Sequence, residues 1–207
     1  MNYFFIDTTN EILSLAIAND NHILASNSYY AVGEHSRYAM IGIEEIFNKT
    51  KLNPQDIDKL IVVNGPGSWT GIRIGVTIGK VYAWALNKEI ISVSSLHAYA
   101  LSFSNYDYYI VAINARRNHV YAGIYDKNYN NVLDDCYINI NELNKKIDQL
   151  DGSIIIIGNI KINEKYKTVP VKLDIKAVIN YYKNKSSNNY EQLKPKYLKK
   201  TEAEEKL

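Results

Sequence analysis

Short apolar runs separated by turn residues occupy the first thirty positions, and helical spacing of the apolar residues appears after them. Three short apolar runs come first, separated by Asp7-Thr8-Thr9-Asn10 and Asn19-Asp20-Asn21, which is typical of strands joined by turns. Helical spacing then replaces alternation, and buried runs of four residues follow. The predicted elements are strands at 3–6, 12–18 and 23–30, a helix at 35–49, a strand at 60–63, a helix at 70–86, a strand at 90–93 and a helix at 94–103.

The second half of the chain repeats this order. Strands are predicted at 108–113, 119–125, 132–138 and 154–157, with a helix at 141–150. Placing Asp7 over Asn114 aligns the two three-strand patterns, which indicates a duplicated β-β-β-α-β-α unit. We therefore predict an α/β fold with two related lobes, the second reduced. The predicted boundaries are 1–103, 104–183 and a polar, Lys-rich tail at 184–207.

Composition excludes several classes of protein. The chain has 207 residues, 46% of them hydrophobic, and a formal net charge of +2, so no overall field marks a nucleic-acid binder. One cysteine, Cys136, cannot form an intramolecular disulfide. No apolar run approaches the roughly 20 residues of a membrane span. We expect a cytoplasmic protein with no membrane contact.

A glycine-rich loop, Gly65-Pro66-Gly67-Ser68-Trp69-Thr70-Gly71, joins a predicted strand to a predicted helix. Backbone N–H groups at such a helix start attract anions, which makes Gly67, Ser68 and Thr70 candidate anion ligands. The loop fits neither the Walker pattern, the dinucleotide fingerprint nor the nucleophile elbow. A tight turn with Thr70 as the helix cap explains the same residues, so both interpretations stay open.

The helix after this loop carries small residues every four positions, at Gly71, Gly75, Gly79 and Ala83. Glycines inside a helix cost about 1 kcal/mol each relative to alanine, so this face calls for a close neighbour. The neighbour is either the 35–49 helix of the same chain or a helix of another subunit. Arg73 lies in the first helical turn, against the dipole, and is either a ligand of an anionic group or solvated.

Asp7 and Asn114 end the first strand of each half. With Thr8 beside it, Asp7 is a candidate nucleotide ligand, and a turn-forming role is the alternative. A phosphoryl-transfer enzyme would need carboxylates at both strand ends to position Mg²⁺, whereas the second is an amide. Histidines do not cluster, so we expect no metal and no cofactor.

Several motifs together resemble one family. The segment from Gly65 to Gly75 reads GPGSWTGIRIG and looks like the GPGSFTGLRIG signature of the TsaB (YeaZ) family. Other matches are Ile6-Asp7-Thr8-Thr9 to IDTS, His35-Ser36 to the HS that starts a helix, Val93-Ser94-Ser95-Leu96 to VSSL, and Pro195-Lys196-Tyr197-Leu198-Lys199 to P-x-YLR. Residues 114–121, NARRNHVY, look like DARRGEVY, with Asn114 and His119 in place of two acids.

The resemblance implies an actin-like ASKHA fold and a non-catalytic subunit of the machinery that makes threonylcarbamoyladenosine (t6A37) on tRNA. Such a subunit would bind the catalytic paralogue, TsaD, through helices of its first lobe. Candidate contact residues are His35, Tyr38, Gly71, Arg73, Gly75, Gly79 and Ala83. A TsaE-type ATPase would complete the set, tRNA would be met only through the complex, and the chain alone would homodimerise. The rival hypothesis is a nucleotide-dependent phosphotransferase acting alone.

Overall fold

The computed structural model describes residues 1–199, which fold as two compact units. The first unit comprises residues 1–95 and 175–196. The second comprises residues 96–174 and, among the described residues, 197–199. Residues 200–207, the last part of the predicted tail, lie outside the described residues. No helix in the described part of the chain is long and apolar enough to cross a bilayer.

A five-stranded sheet of order β3-β2-β1-β4-β5 forms the first unit. Strands β1, β2 and β3 pair antiparallel, whereas β1, β4 and β5 run parallel. Helix α1 packs on β2 and β3, and α2 packs mainly on β4. The elements are β1 (Asn2–Asp7), β2 (Ile12–Asn19), β3 (Ile23–Tyr30), α1 (His35–Thr50), a 3-10 turn (Pro54–Asp56), β4 (Lys59–Gly65), α2 (Trp69–Leu86), β5 (Glu89–Ser94) and α3 (Ser95–Ala100).

The central strands explain why the apolar runs are continuous rather than alternating. Residues 3–7 of β1 and residues 59–63 of β4 are buried without interruption, because both sheet faces are covered. The edge strand β3 alternates between half-buried and exposed positions, as a strand with one covered face does. Phe4, Ile6 and Val62 point into the core beneath α1 and α2, and no part of these side chains is exposed.

The second unit repeats the strand order of the first, as β8-β7-β6-β9-β10. Its last strand has only two residues, and no helix stands between β9 and β10 at the place that α2 occupies in the first unit. The predicted α/β fold with a reduced second lobe is thereby confirmed. The elements are β6 (Tyr108–Asn114), β7 (His119–Asp126), β8 (Asn131–Asn139), α4 (Ile140–Ile147), β9 (Ile154–Gly158) and β10 (Thr168–Val169).

The end of the chain departs from the predicted tail. Helix α5 (Ile175–Tyr182) packs on β1, and a 3-10 turn (Tyr190–Gln192) contacts α2. Leu193, inside the segment described as a tail, is fully buried in the first core. The predicted boundaries at residues 103 and 183 therefore differ from those of the two units. The reason is that residues 175–196 belong to the first unit, where Leu193 fills the core although most of its neighbours in sequence are polar.

Candidate functional site

The glycine-rich loop before α2 is fastened to the turn after β1. The Thr8 hydroxyl donates to the Gly71 carbonyl at 2.6 Å, and the Ser68 amide donates to the Thr9 carbonyl at 2.7 Å. A Cβ on Gly67 would collide with that same Thr9 carbonyl oxygen. The loop and the turn thus approach backbone to backbone, which explains the glycine at residue 67 and engages the Thr8 hydroxyl inside the fold.

Asp7 is buried at the same place. Its carboxylate accepts hydrogen bonds from the Thr9 amide at 2.8 Å and from the Thr9 hydroxyl at 2.7 Å. Burial raises the pKa of Asp7 to about 6, against the lowering effect of the Thr9 bonds and of the charge of His35. His35 is itself buried, and its Nε2–H donates to the Asn10 carbonyl at 2.7 Å. The geometry assigns Asp7 a turn-organising contact.

Ser68, rather than Thr70, caps α2. The Ser68 hydroxyl oxygen accepts a hydrogen bond from the Gly71 amide at 3.2 Å, whereas Thr70 is exposed. Both residues border a cavity of about 410 Å³ at the starts of α1 and α2. Of the five predicted anion ligands, Ser68 and Thr70 therefore line a cavity, while Asp7 and Thr8 are buried and bonded internally. The cavity is lined by Val32, Gly33, His35, Ser36, Ser68, Thr70 and Ile74.

The small-residue face of α2 points into the chain's own sheet. A Cβ on Gly79 would stand 2.7 Å from Val62 Cγ2, and one on Gly75 would collide with the Thr8 hydroxyl. Gly71, Gly75, Gly79 and Ala83 are all buried. The close neighbours of the glycines are the end of β1, the turn after it and β4, so the small-residue face of α2 lies against the chain's own sheet.

Two more of the predicted contacts also pack inward. His35 is buried, and Tyr38 is half-buried with its ring stacked on Tyr29 at a centroid distance of 5.4 Å. Arg73 alone among the predicted set is exposed, and its guanidinium lies 4.9 Å from the centre of the Trp69 ring. The face of α2 that meets solvent is therefore the one opposite the glycines.

An apolar groove runs between the outward faces of α1 and α2. Its volume is about 360 Å³, and Met40 on α1 lines it and is 61% exposed. The reason is that Ala39, Gly42 and Ile46 already fill the inward stripe of α1. The groove is lined by Ser36, Met40, Thr70, Arg73, Ile74, Thr77 and Ile78.

Large apolar side chains continue this surface along α2. Val81 is 55% exposed and Trp84 is 65% exposed, at the spacing of four and three residues that follows Thr77. Val81 and Trp84 are absent from the predicted contacts, because the small-residue stripe was the feature of α2 that indicated a close neighbour. The available signal was a second apolar stripe on a helix whose first stripe was already assigned.

Comparison with known proteins gives this arrangement a family. The family model described as "TsaD: tRNA N6-adenosine threonylcarbamoyltransferase" matches residues 28–175. The Bacillus subtilis (strain 168) "tRNA threonylcarbamoyladenosine biosynthesis protein TsaB" is 34% identical over 165 residues, which cover 77% of this chain and 71% of that protein. The chain belongs to the TsaB family. The Escherichia coli (strain K12) protein of the same name is 26% identical over 167 residues, covering 76% of this chain and 71% of that protein.

Solved structures agree with the TsaB assignment at the level of the fold. "YeaZ from Pseudomonas aeruginosa" aligns with a TM-score of 0.77 and 16% identity, covering 95% of this chain and all of that one. A Pseudomonas aeruginosa protein described as similar to peptidase YEAZ aligns with a TM-score of 0.79 and 16% identity, over 96% and 99% of the two chains. The α/β fold with two five-stranded sheets is thus shared with these solved structures.

Proposed function

We propose that this chain is a non-catalytic scaffold subunit in the synthesis of threonylcarbamoyladenosine on tRNA, and that it binds and stabilises a TsaD-type catalytic paralogue. The proposal starts from the family: the related TsaB proteins are named for this biosynthesis, and the matching family model is that of the transferase itself. Proteins that share a fold by descent offer matching faces for pseudo-symmetric association.

The observation that carries the proposal is the outward surface of α1 and α2. Met40 lines the groove, and Ile41, Val81 and Trp84 are further exposed apolar residues on the same two helices. Exposed apolar side chains, with an aromatic residue and an arginine among them, are typical of protein interfaces. This surface replaces the glycine face as the proposed contact, with Arg73 retained from the predicted set.

The experiment is co-expression of this chain with the TsaD-type protein, followed by affinity capture and sizing. We expect a stoichiometric complex with the native chain. Met40→Glu places a charge on the groove margin and should weaken capture by about tenfold or more, because a charge desolvated without a partner is costly. Trp84→Ala should act in the same direction, since truncated aromatic anchors cost about 2 kcal/mol or more.

Val132→Glu is the matched control. Val132 is a 50% exposed apolar residue on β8 of the second unit, so its substitution adds the same charge elsewhere. Full capture by Val132→Glu, with loss by Met40→Glu at an unchanged unfolding midpoint, supports the proposal. Equal capture by both variants, or no complex with the native chain, contradicts it.

The proposal has two further parts, and the first of them uses the same surface. We propose that the chain homodimerises through the α1–α2 face when the paralogue is missing, which predicts that Met40→Glu sizes as a smaller species than the native chain. A TsaE-type ATPase is proposed to join the complex, and tRNA to be met through that complex.

A phosphotransferase acting alone is the rival, and calorimetric titration with Mg-ATP separates it. Such an enzyme needs Asp7 and Thr8 to reach a nucleotide, yet both are buried: Asp7 accepts from the Thr9 amide, and the Thr8 hydroxyl donates to the Gly71 carbonyl. Micromolar binding with turnover by the purified chain would replace the scaffold proposal.

A further inference from the structure

The turn between β6 and β7 holds two arginines in an unusual backbone conformation. Arg116, Arg117 and Asn118 have φ values of 66°, 51° and 59°, the left-handed region that residues other than glycine seldom occupy in succession. The Asn114 side chain accepts from the Arg116 amide at 2.9 Å, and the Ala115 amide donates to the His119 carbonyl at 2.9 Å. These bonds fix a tight turn that exposes both arginine side chains.

Aromatic rings lie directly beside this turn. His119 stacks on Tyr137 with a centroid distance of 4.6 Å and an angle of 8°, and its Nδ1–H donates to the Arg117 carbonyl at 2.8 Å. Tyr121 packs against Tyr137 at 5.8 Å. The Lys199 ammonium stands 5.5 Å from the centre of the Tyr137 ring. Three cations and three rings thus gather at one end of the second sheet.

No acidic side chain offsets this charge along the strand ends that build the cluster. Residues 114–121 and 136–141 contain no Asp or Glu, and neither Arg116 nor Arg117 forms an ion pair within residues 1–199. The strand ends that build the cluster thus carry only positive charge, although the overall net charge of the chain is only +2.

We propose that the cluster of Arg116, Arg117, His119, Tyr137 and Lys199 is a contact surface for RNA. Exposed arginines neutralise phosphates, and planar rings beside them offer stacking surfaces for unpaired bases. An acidic peptide would use the charges but not the rings, so the combination favours a polyanion that carries bases. The proposal rests on the proposed function, in which tRNA is the substrate of the complex, and gives this subunit its own part in holding it.

The test is binding of an unmodified, fluorescently labelled tRNA transcript to the full chain, measured by anisotropy from 30 to 200 mM salt. The variant Arg116→Gln/Arg117→Gln should lower the slope of log affinity against log salt by about 1.4–1.8, since each lost phosphate contact removes about 0.7–0.9. The variant Asn114→Asp/His119→Glu places two acids beside the arginines, and the carboxylate at position 114 can still accept the hydrogen bond from the Arg116 amide. We expect it to weaken binding about tenfold or more at 50 mM salt, through charge repulsion and loss of one stacking ring.

Lys161→Gln/Lys165→Gln is the control, because it removes two exposed cations from another loop of the same unit. An unchanged slope in the arginine variant, or an equal loss in the lysine control, overturns the proposal, as does equally tight binding of poly-glutamate in competition. Capture of the TsaD-type paralogue by the same variants is measured in parallel. Retained capture with weakened RNA binding supports the RNA surface, whereas retained capture with unchanged RNA binding overturns it and leaves the proposed scaffold function standing.

Discussion

Asp7 shows how burial changes the energetics of a carboxylate at the end of a strand. Its carboxylate ends β1 at the point where a nucleotide enzyme would hold a ligand, yet both of its recorded hydrogen bonds come from Thr9. Burial raises its pKa to about 6, above the usual value of about 3.9 for Asp, so the ionised form is disfavoured in the native chain relative to the unfolded one. The group therefore subtracts stability at neutral pH.

The pH dependence of this penalty is the prediction at the residue scale. It is fully present above about pH 6 and vanishes below about pH 4, and the shift corresponds to about 3 kcal/mol. Asp7→Asn keeps an oxygen for the Thr9 bonds without the charge. The stability that Asp7→Asn gains over the native chain should therefore be largest at pH 7.5 and fall by about 2 kcal/mol on going to pH 4, as measured by urea titration.

Glu44→Gln serves as the control for that titration, because Glu44 is an exposed carboxylate on α1. It should leave the difference from the native chain flat across the same range. A flat difference for Asp7→Asn would refute the inferred penalty, whatever the absolute stability of the variant.

Helix α2 packs one face on the sheet and exposes the opposite face to solvent. The face with Gly71, Gly75 and Gly79 meets the sheet at a distance that excludes a Cβ, and the opposite face presents Val81 and Trp84 to solvent. Leu at Gly79 would hence disturb the chain's own core and report little about any partner. Contact with another subunit is to be sought through the outward side chains.

Gly71→Ala tests the inward packing. The added Cβ would meet the Thr8 carbonyl oxygen, a backbone atom that no rotamer change can move. Alanine gains about 1 kcal/mol over glycine within a helix, but we expect overpacking to outweigh this and lower the free energy of unfolding by about 1–3 kcal/mol. Chemical unfolding measures it. Thr77→Ala, on the exposed side of the same helix, should change little, and a stabilised Gly71→Ala would contradict the close approach.

The sequence supported the order of elements better than the use of their faces. Alternation and helical spacing are local, so α1, α2 and every strand except the two-residue β10 were predicted within a few residues. The α2 glycines required a close neighbour, but nothing local distinguishes a sheet of the same chain from a helix of another. The left-handed turn at Arg116 contains no glycine, so its conformation could not be predicted from the sequence. The apolar groove could not be predicted either, because it forms only where two helices lie side by side.

At the scale of the whole molecule, a late segment of the chain forms part of the first unit. Residues 175–196 return to the first unit after the chain has passed through the second. Leu193 packs in the same core as Val62 and Ile90, and the Lys196 amide donates to the Asn64 carbonyl at 2.8 Å beside the glycine-rich loop. Residues 175–196 therefore support β4, the strand that leads into α2, although the end of this segment is polar in composition. Deleting them should disturb the position of α2 and with it the proposed partner surface.

Leu193→Ala makes this dependence measurable. Truncating a fully buried leucine removes its apolar contacts and leaves a cavity, so the free energy of unfolding should fall by about 2–5 kcal/mol. Lys194→Ala, at the exposed neighbouring position, is the control and should stay within about 0.5 kcal/mol of the native chain. If the segment were only a tail, both variants would unfold at the native urea midpoint. Reduced stability of Leu193→Ala alone, with weaker capture of the TsaD-type paralogue at temperatures near its unfolding midpoint, would establish that the returning segment holds the α2 surface in place.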